Sequence, residues 1–284
     1  MYGKMDHYVM ARFRQDAART LKYIVLALFS ISTLYPFFWV IISAFKNNNE
    51  IYGRPFNLPS SWAFHNFHKA WIGARVDISL LNSLIYSFLS VALILLISSM
   101  TAYVLTRYTK TKILFTYFIL GIMIPIHSII IPEFFVIKTM GLYNSRFGLI
   151  LVYIAGNISI RIFILSGFMK GIPKALEDAS FIDGCSKAKT FFLIILPILK
   201  PALATVGILV FLNCWNDLLM ALLFLSRPDF RTLNLACYNL RAEFQEDYGL
   251  ISAGLVILII PVTVIYIMFQ EQVIKGLTAG AVKG

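Results

Sequence analysis

Long stretches without charge alternate along the chain with short polar segments. The sequence has 23 consecutive uncharged residues between Lys22 and Lys46, and 29 between Asp77 and Arg107. As a helix, about 20 apolar residues span the hydrocarbon core of a bilayer. Such stretches recur and predict six transmembrane helices, at 23–45, 80–105, 113–132, 147–169, 201–225 and 249–270. The predicted fold class is therefore an all-α membrane protein.

The composition favours a membrane protein over a soluble one. Of the 284 residues, 59% are hydrophobic and only 14% are charged, whereas about 25% of a typical soluble domain is charged. The net charge of +11 would also suit nucleic-acid binding. The basic residues are scattered between apolar stretches, however, and membrane orientation explains that distribution better. The three cysteines have no CxxC spacing, so we expect neither a disulfide framework nor a metal site.

The distribution of Lys and Arg predicts the orientation. If the N-terminus lies inside, the inner segments hold 15 of these residues and the outer segments hold 9. Because cytoplasmic loops carry an excess of positive charge, both termini are predicted to be cytoplasmic. We also expect the first apolar stretch to be retained rather than cleaved as a signal peptide. The predicted divisions are a cytoplasmic N-terminal segment at 1–22, a first transmembrane helix at 23–45, an external loop at 46–79, a five-helix core at 80–270 and a cytoplasmic tail at 271–284.

A polar segment at 173–197 interrupts the apolar pattern. Five charged residues lie within thirteen of its positions, 177–189: Glu177, Asp178, Asp183, Lys187 and Lys189. Each charge at the centre of a spanning helix costs roughly 2.5–3.5 kcal/mol, so this segment is predicted to face water or a protein partner. Pro173 suits a first helical turn, and Gly184 permits the left-handed backbone that ends a helix. We predict a short helix, a turn at Gly184 and a second helix leading into the fifth span.

The spacing in this segment resembles the EAA motif of permease subunits in ATP-binding-cassette (ABC) importers. That pattern is Glu-Ala-Ala, three residues, Gly, nine residues and Ile-x-Leu-Pro. Here it falls on Asp178, Ala179, Ser180, Gly184, Ile194, Leu196 and Pro197, with Glu177 preceding it. The sequence departs from the pattern at Asp178, which replaces Glu, and at Ser180, which replaces Ala. Both replacements are small and chemically similar, and the spacing is kept throughout.

Two further stretches of the chain, at 214–225 and 260–284, resemble the carbohydrate-uptake branch of this family. The likeness is to the type represented by the smaller permease of the maltose transporter, and it covers about residues 12–284. It implies the type I importer fold, with one helix of the polar segment docking on a separate ATPase dimer. ATP and Mg are then bound by that ATPase, and we expect no cofactor on this chain. The other implied partners are a homologous second permease, an extracytoplasmic sugar-binding protein and the lipid bilayer of a bacterial or archaeal cell membrane.

The resemblance also implies site residues. Those that couple to the ATPase would be Glu177, Asp178, Ala179, Ser180, Asp183, Gly184, Ile194, Leu196 and Pro197. A second contact with the ATPase would come from the tail, at Gly276, Ala279 and Gly280. For so small and glycine-rich a chain end, a frayed terminus is the alternative.

Polar residues within the predicted spans are candidates for a translocation path. The candidates in the fifth span are Asn213, Trp215, Asn216 and Asp217. Sugars are bound by convergent polar groups with aromatic contacts, but hydrogen bonding between helices is the alternative and is slightly favoured. For Glu133 and Arg161 we expect snorkelling or mutual pairing near helix ends. His127 and Asn157 are weaker candidates.

Three functions remain to be compared. The sequence favours a permease subunit of an ATP-driven importer of di- or oligosaccharides over an enzyme. An ion-gradient-driven secondary transporter is the alternative, but it predicts inverted repeats, and no internal repeat is evident. A membrane enzyme is disfavoured because GxxxxGK[ST], HExxH and GxSxG are absent. ATP would therefore have to be bound by another chain, and the sugar itself is not predicted.

Overall fold

The protein consists of helices and short connections. The computed structural model describes residues 2–109, 112–244 and 247–281, and of residues 2–14, 17, 242–243 and 272–281 it describes the backbone alone. No strand occurs within these residues. The helices are α1 (Tyr2–Ser43), α2 (Asn48–Gly53), α3 (His65–Gly73), α4 (Val76–Arg107), α5 (Ile113–Met123), α6 (Ile126–Thr139), α7 (Arg146–Lys170), α8 (Ala175–Ile182), α9 (Lys187–Thr190), α10 (Leu196–Ile198), α11 (Lys200–Asn216), α12 (Leu219–Phe224), α13 (Leu233–Glu243) and α14 (Tyr248–Ala281). A π-helical turn at Phe191–Ile195 joins α9 to α10, and a 3₁₀ turn lies at Pro228–Phe230.

Four helices are long and apolar enough to cross a membrane. They cover Ala18–Ser43, Val76–Arg107, Arg146–Lys170 and Tyr248–Glu271. Two bent pairs pass the same test together: Ile113–Met123 with Ile126–Thr139, at 102°, and Lys187–Ile198 with Lys200–Asn216, at 76°. The described residues therefore hold four to six candidate spans. Most lie close to the positions that the uncharged stretches predict, but the second bent pair begins at Lys187, inside the polar segment, and ends at Asn216, before the predicted end at 225.

Two predicted spans are not continuous. The stretch 113–132 breaks at Ile124, whose ψ of 117° is extended, because a residue that precedes a proline is disfavoured in the α-helical conformation and Pro125 follows. The stretch 201–225 breaks at Asp217, which is also extended, with ψ 130°. The prediction of one uninterrupted helix was wrong in both places.

The chain divides into two compact units. One comprises residues 1–70 and 244–257, with α1 as its main helix. The apolar side chains of α1 are exposed on several sides, including Leu28, Phe29 and Phe38. At its end, Lys46 is buried and its Nζ donates to the carbonyl oxygens of Arg54 and Pro55, both at 3.1 Å. The hydrogen bonds of this lysine connect the segment after α1 to the segment after α2.

The other unit comprises residues 71–243 and 258–284. In it α4 packs against α7 and α11, and α5 packs against α7. The buried face of α4 carries small serines: Ser79, Ser83, Ser87, Ser90, Ser98 and Ser99. Small residues let helices approach closely where no water drives their association. The core of this unit therefore lies along α4 and α7, directly beside the polar segment at 173–197.

Candidate functional site

The polar segment at 173–197 folds as a helical elbow; it is called the coupling loop below, after the role that the resemblance implies. Helix α8 ends in two hydrogen bonds, from Cys185 N–H to the carbonyl oxygen of Ser180 at 2.9 Å and from Gly184 N–H to that of Phe181 at 3.1 Å. This is the Schellman arrangement, which places the residue after the C-cap in the left-handed region. Gly184 occupies that place with φ 78°. The predicted helix, turn and second helix are all present.

The second arm of the elbow begins at Ser186, whose side chain accepts from Lys189 N–H at 3.4 Å. It continues into the π-helical turn, where Leu196 N–H bonds to the carbonyl oxygen of Phe191. Pro197 lies just beyond and has no N–H for the α-helical bond, which favours such a local widening of the helix. In this arm Ile194 and Leu196 are half-buried, and Pro197 is exposed.

Helix α8 has one buried and one exposed face. Glu177 is 2% exposed and Ser180 is 3% exposed. On the opposite face Ile182 is 87% exposed. Asp178, Ala179, Phe181, Asp183 and Gly184 are also exposed. The sequence pattern treats all of these positions alike, but the structure separates them into an inner set and an outer set.

The buried carboxylate of Glu177 is bound by residues from α4. Its Oε1 lies 2.5 Å from Nε of Arg107, and its Oε2 accepts a hydrogen bond from the hydroxyl of Tyr103 at 3.2 Å. Nη2 of Arg107 donates to the carbonyl oxygens of Ile172 at 2.7 Å and Met169 at 3.1 Å. One guanidinium group therefore joins the end of α4, the end of α7 and the first helix of the coupling loop.

A second polar contact closes the inside of the elbow. The hydroxyl of Ser180 bonds to the carbonyl oxygen of Glu177 at 2.7 Å and lies 2.8 Å from the hydroxyl of Thr190. Thr190 and Ser180 are both buried. Because these groups satisfy one another, the two arms meet without an unpaired hydroxyl between them.

The predicted tail contacts lie in α14. Gly276, Ala279 and Gly280 are helical, although the side-chain environment at these positions is outside the described part of the structure. The helix reaches Ala281, whereas the sequence predicts that this end is too small and glycine-rich to form a stable helix alone. Their proposed contact with an ATPase stays a prediction.

The candidates for the translocation path do not share one face. Asn213 and Asn216, three residues apart, line a cavity of about 360 Å³ together with His127 and Asn157. Trp215 is instead buried and stacked on Phe211, with ring centroids 5.5 Å apart. An α-helix turns 100° per residue, so positions three apart share a face and the position between them does not. Trp215 therefore does not line this cavity with the asparagines, and its predicted place on a translocation path stays a prediction.

Asp217 lies at the cavity and also has a structural role. Its carboxylate accepts from Tyr153 Oη at 2.9 Å. It also accepts from the N–H groups of Met220 at 3.2 Å and Ala221 at 3.0 Å, which cap the start of α12. Nδ2 of Asn234 donates to the carbonyl oxygen of Asn216 at 3.0 Å, where the helix is broken. These contacts hold an open backbone segment at the cavity wall.

The polar wall continues into α7. Asn157 Oδ1 accepts from Asn213 Nδ2 and from Arg161 Nη2, each at 3.3 Å. Arg161 is 4% exposed in the middle of α7 and, among the described residues, forms no ion pair with Glu133. The expectation of snorkelling or pairing near a helix end was therefore wrong for Arg161.

The segment after α12 lies against the start of α4. Arg75 and Asp229 form an ion pair at 2.6 Å. Nδ2 of Asn82 donates to the carbonyl oxygens of Asp229 at 2.8 Å and Arg231 at 3.1 Å. Helix α13 buries several apolar residues: Leu233, Leu235, Ala236 and Leu240. Much of this segment is thus part of the core.

Several residues of the site were missed by the sequence analysis. Tyr103, Arg107 and Thr190 hold the coupling loop, while Tyr153 and Asn234 support the cavity wall. Arg107 offered one signal, since it is the basic residue that ends a long uncharged stretch. The others are ordinary residues in apolar or polar surroundings, and only their distant partners distinguish them.

Comparison with known proteins identifies the family. The family described as the binding-protein-dependent transport system inner membrane component matches residues 107–278. The chain therefore belongs to this family of ABC transporter permeases, which are transport components and not enzymes. The match includes the coupling loop and the cavity, and it agrees with the several apolar helices of a multi-pass inner membrane protein.

The relatives of this chain include permeases of sugar transport systems. The diacetylchitobiose uptake system permease protein NgcG of Streptomyces coelicolor is 32% identical, over 92% of this chain and 87% of its own length. The sulfoquinovosyl glycerol transport system permease protein SmoH of Agrobacterium fabrum is 33% identical, over 94% of this chain and 95% of its own. A chain from the crystal structure of a bacterial ABC transporter involved in the import of alginate has the same fold, with a TM-score of 0.75 and 21% identity over 88% of this chain and 94% of that one.

Proposed function

We propose that this chain is a permease subunit of an ATP-driven importer of di- or oligosaccharides. It would form half of the translocation pore, beside a homologous second permease, and would couple to a separate ATPase through the coupling loop. The observation that carries the proposal is the two-faced helix α8, whose inner face is anchored to α4 while Ile182 projects outward with 87% of its surface exposed. The names of the sugar-transport relatives support the substrate class.

The proposed topology has six crossings with both termini in the cytoplasm. The bent pair α5–α6 counts as one crossing, and α11, the second helix of the other bent pair, counts as another. The excess of Lys and Arg on the inner segments sets the direction. The coupling loop then faces the cytoplasm, and the external loop at 46–79 faces outward. The exposed apolar surface of α1 would lie against lipid and the second permease, and the core of five helices at 80–270 would line the pore.

Coupling would use the outer face of the elbow. An exposed isoleucine at the end of a short helix suits insertion into an apolar groove of a partner. Asp178 and Asp183 flank it and would set the docking register by charge. ATP and Mg would be bound by the ATPase, while the tail residues Gly276, Ala279 and Gly280 would add a second contact. Glu177 and Ser180 cannot touch a partner in this conformation because both are buried.

Translocation would use the polar cavity. Amide groups of Asn213 and Asn216 beside the ring of His127 offer donors and acceptors for sugar hydroxyls in an otherwise apolar surrounding. The break at Asp217 exposes polar backbone at the same wall, an arrangement that is tolerated within a membrane where it lines a cavity. Sugar would be delivered from outside by a soluble binding protein, as the family description implies.

Copurification and uptake test this proposal. When the chain is expressed with its candidate partner subunits, the ATPase and a second permease should copurify with it in mild detergent. Ile182→Asp places a charge on the docking surface and should abolish ATPase binding. The matched control Phe192→Asp changes an exposed apolar residue of the second arm and should retain it. A chain that transports sugar alone under an ion gradient, without ATP, would show that the secondary-transporter alternative is correct.

A further inference from the structure

The ion pair between Arg107 and Glu177 has no role in the docking surface described above. Glu177 belongs to the loop that would meet the ATPase, but its carboxylate points inward to α4. A buried ion pair contributes little net stability, since desolvation offsets most of the attraction. Retaining a charged pair at this place therefore calls for another explanation than stability.

The geometry of Arg107 supplies that explanation. Its guanidinium group touches three segments at once: it is itself the last residue of α4, it pairs with Glu177 of α8, and it donates to two carbonyl oxygens at the end of α7. A planar group with five N–H donors fixes the relative orientation of its partners, which a single ammonium group does not. Tyr103 adds a further bond from α4 to the same carboxylate.

We propose that Arg107 and Glu177 are positioning residues that make α8 move as one body with the ends of α4 and α7. This inference rests on the proposed function. Motion of the ATPase would then reach α4 and α7 directly through the ion pair, in addition to α11 through the chain. The two helices that form the core of this unit would follow the coupling loop without a flexible connection between them.

The second arm of the elbow connects to α11 through segments that deform more easily than the ion pair. Between Thr190 and α11 lie the π-helical turn, Pro197 and a 76° bend, all of which are features where helices deform. Force that travelled only along the chain would pass through these deformable points. The ion pair bypasses them, because Arg107 connects α8 to α4 and α7 on the opposite side of the elbow.

Spin-label distances in the assembled importer test the proposal. Labels at Lys174→Cys in the loop and Val104→Cys in α4, in a Cys185→Ser background, should keep one distance with and without trapped ATP. In Glu177→Gln, which removes the charge and keeps the volume, that distance should broaden or shift on trapping. Sugar taken up per ATP hydrolysed should fall about tenfold, within the usual range of coupling between sites. The control Asp77→Asn removes an exposed carboxylate at the opposite end of α4 and should leave the distance unchanged.

A second variant protects the test against misfolding. If Glu177→Gln does not assemble, the pair Arg107→Met with Glu177→Met replaces both charges by apolar side chains of similar size, a change that is often neutral for folding. If this pair assembles with a fixed label distance and normal uptake per ATP, the inference is wrong. Failure of the unaltered chain to bind an ATPase would instead contradict the proposed function, so the two failures are distinguishable.

Discussion

The hydroxyl groups of Ser180 and Thr190 lie 2.8 Å apart, one on each arm of the coupling loop. They are ten residues apart in the sequence, and both are buried. The contact sets the angle of the elbow from the inside, while Gly184 permits the turn on the outside. The family pattern has Ala at the position of Ser180, so this chain has a polar contact there that an alanine could not form.

Removing one of these hydroxyls should have a modest effect on stability. Thr190→Val keeps the shape of the side chain and leaves Ser180 still bonded to the carbonyl oxygen of Glu177 at 2.7 Å. We expect a loss of about 1 kcal/mol, the usual net value of a hydrogen bond, measured as a lower melting temperature in detergent. As a control, Thr205→Val changes a partly exposed threonine on α11 and should have a smaller effect.

The turn at Gly184 should require a residue that accepts a positive φ. No heavy atom lies within 4 Å of a Cβ built there, so any effect of substitution comes from the backbone conformation and not from crowding. Left-handed backbone costs roughly 1–2 kcal/mol for ordinary residues, and least for Asn. Gly184→Val should therefore uncouple ATP hydrolysis from uptake, whereas Gly184→Asn should retain most coupling. Equal, normal coupling in both variants would contradict the proposed role of the turn.

The cysteines should report which side of the membrane the coupling loop faces. Cys185 is half-buried in the turn, whereas Cys214 and Cys237 are buried. Burial raises the pKa of the Cys237 thiol to about 12, so almost no reactive thiolate forms there near neutral pH. A membrane-impermeant maleimide should label one site per chain, and only when the cytoplasmic side is accessible.

One variant and one binding partner control that labelling experiment. Cys185→Ser should abolish labelling, and binding of the ATPase should slow labelling of the unaltered chain because the turn becomes covered. Labelling of Cys185 from the outer side would show that the proposed orientation is reversed. Labelling that the ATPase does not affect would place the turn away from the interface.

The cavity wall should control the apparent affinity for sugar. Asn213→Leu keeps the approximate size of the side chain and removes its hydrogen-bonding groups from the cavity. We expect the KM for uptake to rise about tenfold, which corresponds to roughly 1.4 kcal/mol of lost binding. Trp215→Phe is the matched control, since this residue stacks on Phe211 away from the cavity, and its KM should stay unchanged. The opposite ranking of the two variants would place the substrate elsewhere.

The elbow was predictable from the sequence because its determinants are local. A charged segment between apolar stretches cannot lie in the bilayer. The spacing from Asp178 through Gly184 to Pro197 then predicted a helix, a turn and a second helix. The break at Asp217 was not predictable in the same way. Its carboxylate caps α12 and binds Tyr153, a residue 64 positions away.

The local sequence thus determined the apolar helices, their approximate positions and the charged loop between them, because hydrophobic length and charge decide what a bilayer accepts. Only the tertiary structure decided which face of α8 is buried, that Glu177 binds Arg107, and that Trp215 faces away from the asparagines. These choices depend on contacts between residues far apart in the sequence. Helical periodicity can group residues on a face, but it does not say which face meets a neighbour.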